Sequence, residues 1–178
     1  PVVERLFHVK LGGPLAIAVQ GFIYLAFCLG TALSWYFRFE YYDSVIHLLS
    51  GILFALIGFC LYAILTGEAN RHIRCGLQAS YAIFFSAFIA VMWEIWEFFC
   101  FLVFGNDAQK HLTTGVFDTM EDLIACMVGS AIMLIDYLVY LHFGKGLLMG
   151  LVISFDRANG WQPEGTLDAL QEKGESEG

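Results

Sequence analysis

The stretch LQASYAIFFSAFIAVMWEIWEFFCFLVF, Leu77 to Phe104, decides the fold. It is apolar on every face of a helix, has no proline or glycine, and exceeds the about 20 helical residues needed to cross a bilayer core. Its only charges are Glu94 and Glu97. Three more stretches reach spanning length: Pro14 to Phe37, Val45 to Thr66 and Thr119 to Phe143. The first is too long, and too weakly followed by a small-residue cleavage site, to read as a signal peptide, so a retained span is expected.

Composition agrees. Hydrophobic residues make up 58% of the 178 and charged residues 15%, against about 45–50% and about 25% in soluble domains. The mean hydropathy is +0.68. So little polar surface cannot cover a water-exposed globule, and lipid is the medium that accepts the apolar surplus. The net charge of −8 excludes a phosphate-binding surface for nucleic acid. Half of that charge falls between Asp156 and Gly178, where six acids face Arg157 and Lys173.

The polar connections 38–44, 67–76 and 105–118 are short, so consecutive helices should be antiparallel neighbours. The predicted fold class is therefore all-α, a polytopic membrane protein with four transmembrane helices in an antiparallel bundle spanning residues 1–143. The apolar run Leu147 to Phe155 is too short to span and reads as an interfacial segment within 144–155. Residues 156–178 read as a solvated acidic tail.

Lys and Arg near spans are retained in the cytoplasm. Seven of the nine (Arg5, Lys10, Arg71, Arg74, Lys145, Arg157, Lys173) flank one set of span ends, and only Arg38 and Lys110 the other. Both termini are predicted to be cytoplasmic, with the protein in the bacterial inner membrane. The five cysteines (Cys28, Cys60, Cys75, Cys100, Cys126) form no C-x-x-C pair and read as small buried hydrophobes.

Ionisable residues in spans are costly, and here they come in pairs. Asp43 and His47 are four apart at the start of the second span, Glu94 and Glu97 three apart late in the third, and Asp118 and Asp122 four apart at the start of the fourth. Each spacing puts both side chains on one helical face. Antiparallel spans bring all three pairs to one depth, on the outer side. Five carboxylates together repel unless protons or cations neutralise them, and two divalent ions would leave about one negative charge. The oxygen-rich set with one histidine suits Mg, Mn or Ca, with Zn or Fe admitted through His47.

Other readings compete. Asp43, Asp118 and Asp122 sit near helix starts, where Asp caps free N–H groups. His47 alone would read as a packing histidine, and Trp93 and Trp96 as interfacial anchors. Asp136, deep in the fourth span, calls for a partner such as Tyr24 or Tyr137.

At these pairs the blocks YYDSVIHLLSGILFALIG, WEIWEFFCFLVFGNDAQ and TGVFDTMEDLIACMVGSAI resemble the YjdF-like family of bacterial integral membrane proteins. The resemblance covers about Tyr41 to Ile132. It supports Asp43, His47, Gly51, Glu94, Glu97, Gly115, Asp118, Asp122 and Gly129 as matching positions, and adds Asn106 and Gln109 as loop residues that line the site from above. It implies a several-span fold and names no activity.

Three functions follow as expectations. One is a metal-dependent hydrolase or transferase acting on a lipid-linked group, with Asp43, His47, Glu94, Glu97, Asp118 and Asp122 supplying ligands and Glu94 or Glu97 serving as the catalytic base. The second is an accessory or structural subunit of a larger membrane complex, or a homo-oligomer. The third is a small cation or proton transporter.

Overall fold

The computed structural model describes residues 9–67 and 74–161. Arg5, Arg71, Lys173, His8, His72 and most of the expected acidic tail lie outside the described residues. Every described element is helical. The chain runs α1 (Gly13–Ile23, continuing as a π-helix over Tyr24–Ala32), α2 (Trp35–Arg38), α3 (Tyr42–Thr66), α4 (Cys75–Phe104), α5 (His111–Thr114), α6 (Phe117–Phe143) and α7 (Met149–Ala158).

Among the described residues four helices are long and apolar enough to cross a membrane: residues Gly13–Ala32 and the whole of α3, α4 and α6. The last three start two or three residues earlier than their apolar runs, because Tyr42, Cys75 and Phe117 continue the helical turn beyond the hydrophobic stretch. Each ends on a glycine in the left-handed conformation (Gly67, Gly105, Gly144) whose N–H closes the last turn.

The first span is corrected at its end. It stops at Ala32 rather than Phe37, because Ser34 turns left-handed at φ 57°. The chain then folds back, and the Tyr36 ring lies over Gly30, where a Cβ would not fit. The Tyr42 hydroxyl ties the turn down by donating to the Leu25 carbonyl at 2.8 Å.

Helix α3 lies at the centre and α4 at the periphery. Half of the most apolar α3 window is buried, against 11% for α4. The outward α4 face (Phe84, Phe88, Ile95, Leu102) is exposed, as lipid contact requires. Burial here therefore marks helix–helix contact and not merely apolar character.

Small residues allow the close approach. A Cβ on Gly51 would strike the Cys126 carbonyl, and one on Gly129 the Leu48 carbonyl, so α3 and α6 meet nearly backbone to backbone. Below this contact the Phe59 and Tyr137 rings pack tilted at 43°, with centres 4.6 Å apart, in the bundle interior.

Helix α7 packs under the bundle on α1, α3 and α6, and buries Met149, Val152 and Phe155. The Lys10 N–H donates to the Asn159 side chain, whose amide donates back to the Lys10 carbonyl, both at 2.8 Å. The start of the first span and the end of α7 therefore share one end of the molecule. Asp156, counted with the solvated tail by sequence, is fully buried on this helix. The cysteines also divide: Cys60 and Cys126 are buried and Cys100 half-buried, whereas Cys28 and Cys75 are exposed, against the expectation for all five.

Candidate functional site

At the opposite end, the first two turns of α3, the first two turns of α6 and the last three turns of α4 come together. His47 is buried between two acids, its Nε2 3.5 Å from an Asp43 oxygen and 3.7 Å from an Asp122 oxygen. The three residues present ligand atoms within 4.8 Å of one another. The separations exceed good hydrogen-bond length. They approach the about 3.0–3.6 Å between neighbouring ligand atoms around one ion bound at about 2.0–2.2 Å.

The other face of the His47 ring is held by Cys126. Its Sγ lies 3.7 Å from Nδ1 and donates to the His47 carbonyl at 3.2 Å. Ser50 bonds the same carbonyl at 2.7 Å and touches the thiol at 3.2 Å. The imidazole is therefore aimed at the carboxylates by the α3–α6 contact that Gly51 and Gly129 permit.

The third pair contributes unevenly. Glu94 is buried, one oxygen accepting from Gln109 at 3.0 Å while the other, Oε1, has no partner among the described residues. Glu97 accepts from the Trp93 indole at 2.9 Å, so Trp93 is tied to the cluster as well as to the lipid-facing surface. Glu97 lies within electrostatic range of Glu94, His47 and Asp43. Asp122 likewise lies within range of Glu94 and Asp118.

Loop 105–116 roofs the cluster. Gln109 is buried beneath it and also bonds the Glu94 carbonyl at 2.9 Å. Asn106 stands exposed at the start of this loop. Asp107 organises the loop by accepting from the His111 and Leu112 N–H groups.

Lys110 enters from this loop and bridges two acids, 2.7 Å from Asp118 and 3.3 Å from Asp43. Burial alone would lower its pKa, but the bond to Asp118 and the charge of Asp43 offset it and hold the ammonium up to about 12. Asp43 and Asp118 do not cap their helices: neither α3 nor α6 has a side-chain cap. Their oxygens go to the ammonium and, for Asp43, to His47, although Asp118 Oδ2 is left buried and unpartnered.

Sequence reasoning missed three members. Lys110 was counted only as loop charge, though it adjoins Gln109 and is the single cation of that connection. Cys126 reads as packing in the sequence, with no signal beyond lying one turn after Asp122. Tyr36 was assigned to a straight span. The fold-back at Ser34 brings it beside Asp43, Tyr42, Glu97 and Asp122, and burial first, then those neighbours, push its phenol pKa up, so it stays a protonated donor. Asp136 pairs with neither Tyr24 nor Tyr137. Its oxygens accept from the Leu147 and Met149 N–H groups at 2.9 and 2.7 Å, at the start of α7.

Fold and cluster together define an all-helical membrane protein with four apolar helices and an acid- and histidine-lined group buried near one end. The chain belongs to the family described as predicted membrane protein (DUF2238), whose match covers residues 1–143, up to the last residue of α6. No curated protein and no solved structure matches it.

Proposed function

We propose that the cluster is a divalent-cation site and that the protein is a metal-dependent hydrolase or transferase acting on a lipid-linked group. One observation carries this reading: Asp43, His47 and Asp122 turn one ligand atom each toward a common point, all within 4.8 Å of one another, with His47 Nε2 3.5 and 3.7 Å from the two carboxylates. The donor set fits. Glu94 and Asp118 each keep a buried carboxylate oxygen without a partner among the described residues, so acceptor capacity remains for a cation. Lys110 already supplies one positive charge against the five carboxylates, and the single group of three converging ligand atoms among the described residues supports one ion in place of the two expected from charge balance.

A bound ion supplies Lewis-acid polarisation of a substrate oxygen. Glu97 is the base, since Trp93 holds one oxygen and the other is free of bonds among the described residues. Tyr36 donates to the reacting group from the α2 side. The exposed Trp93, Trp96 and Phe98 beside Glu97 favour a substrate that approaches through lipid. On this reading the cluster opens outward from the bacterial cytoplasmic membrane, with the Lys10, Arg74, Lys145 and Arg157 end inside.

A second reading, that the cluster is a structural clamp in an accessory subunit, is favoured by the Lys110 bridge, which fastens the loop to α3 and α6 without any ion. Metal analysis separates the two. Purified wild type should hold about one divalent ion per chain, Asp122→Asn should lose it, and Glu97→Gln should keep it while losing hydrolysis of lipid phosphoesters. Wild type prepared without chelators and free of stoichiometric divalent metal would leave the clamp.

A further inference from the structure

The end of the molecule away from the cluster carries a second feature. A cleft of about 770 Å³ opens between the last turns of α6 and one face of α7, lined by Asp136, Tyr140, Lys145, Gly146, Ser154 and Arg157 among others. That volume is in the range of small-ligand sites. Most of its wall comes from residues after the family-matched 1–143.

Its chemistry is basic. Gly150, Ile153, Ser154 and Arg157 follow the three-and-four spacing of one α7 face, which points Arg157 into the cleft, and Lys145 faces it from the Gly144–Gly146 turn. Both cations are exposed and neither has an acidic partner among the described residues. Asp136, the one acid in the wall, spends both oxygens on the Leu147 and Met149 N–H groups. Gly146 makes this possible, because a Cβ there would press on the Asp136 carboxylate.

The cleft is also placed at membrane level. It begins where the fourth span ends, at Phe143, and its floor is an amphipathic helix whose buried face packs under the bundle. Lys10 and Arg74 stand at the same end, and the acids there among the described residues, Asp136 and Asp156, are capping a helix or fully buried. Phospholipid phosphate occupies this depth and carries the complementary charge.

We propose that this cleft binds the phosphate of an anionic phospholipid headgroup between Lys145 and Arg157. The site is independent of the carboxylate cluster and of the function proposed for it. Each cation near a lipid surface is worth about fivefold in affinity, and the pair about thirtyfold.

The test uses the full chain, delipidated in neutral detergent, with native mass spectrometry to count bound lipid. Titrations with phosphatidylglycerol, with phosphatidylcholine of the same acyl chains and with inorganic phosphate separate headgroup charge from chain and lipid from free anion. Phosphatidylglycerol should be retained and phosphatidylcholine lost, with inorganic phosphate at equal concentration failing to compete. Lys145→Gln should weaken retention about fivefold, Lys145→Gln with Arg157→Gln about thirtyfold, and the Lys145→Arg, Arg157→Lys pair should restore it. Equal retention of the two lipids, full competition by inorganic phosphate, or wild-type affinity in Lys145→Gln would overturn the assignment. Because Lys145 lies on an exposed turn without partners among the described residues, the single variant keeps the test decisive should the double variant misfold.

Discussion

The geometry of the cluster depends on how closely α3 and α6 approach, and Gly129→Ala perturbs that approach alone. The methyl would point at the Leu48 carbonyl, well inside contact distance, with the Ile52 nitrogen also 3.0 Å away. Ordinary carbon contacts lie at about 3.5 Å, so the two backbones must part by on the order of 1 Å. Overpacking of this kind costs about 1–3 kcal/mol. Gly129 lies two turns from Asp122 on α6, and Leu48 adjoins His47 on α3, so the displacement passes directly to the facing side chains. Metal ligands tolerate about 0.2 Å. Gly129→Ala should therefore lower stability by about 1–3 kcal/mol and weaken divalent-cation binding at least about tenfold, although no ligand has changed. The assays are denaturant unfolding in detergent and metal titration by calorimetry. Gly21→Ala is the control, since nothing lies within 4 Å of its added methyl. Wild-type stability in Gly129→Ala would refute the close approach, and lowered stability with unchanged cation affinity would refute the site.

Two other outcomes are expected. The raised Lys110 pKa means that its contribution is complete below the ordinary value of 10.5 and is lost as pH rises through about 12. Wild type should then lose stability over that window relative to Lys110→Met, and parallel thermal-unfolding curves for the two from pH 9 to 12 would show that the bridge contributes nothing. Asp136→Ala removes the acceptor for two backbone N–H groups at the start of α7, costing about 1–3 kcal/mol, and should speed amide exchange across 147–158 selectively. Unchanged exchange there would mean that the packing of Met149, Val152 and Phe155 suffices to hold the helix.

Hydrophobic run length by itself determined the helical class and the spans, because a backbone in lipid must satisfy its own hydrogen bonds and only a long apolar helix does so within one segment. Spacing also determined which acids share a face: the three- and four-residue intervals put Asp43 with His47, and Asp118 with Asp122, whatever the tertiary structure. Tertiary structure decided their partners. Whether Asp118 caps a helix, ligates or meets Lys110 depends on the path of a loop whose sequence encodes no periodicity. The left-handed turn at Ser34 returns Tyr36 to the cluster, and apolar content continuing to Phe37 gave no sign of it. Asp136 looked like an intramembrane charge in need of a donor, and its donors are backbone N–H groups from a helix more than two turns further along the chain. A one-dimensional pattern reports which face a residue occupies. It carries no record of what another segment places opposite that face, and charge balance at a buried site is settled by those opposing groups.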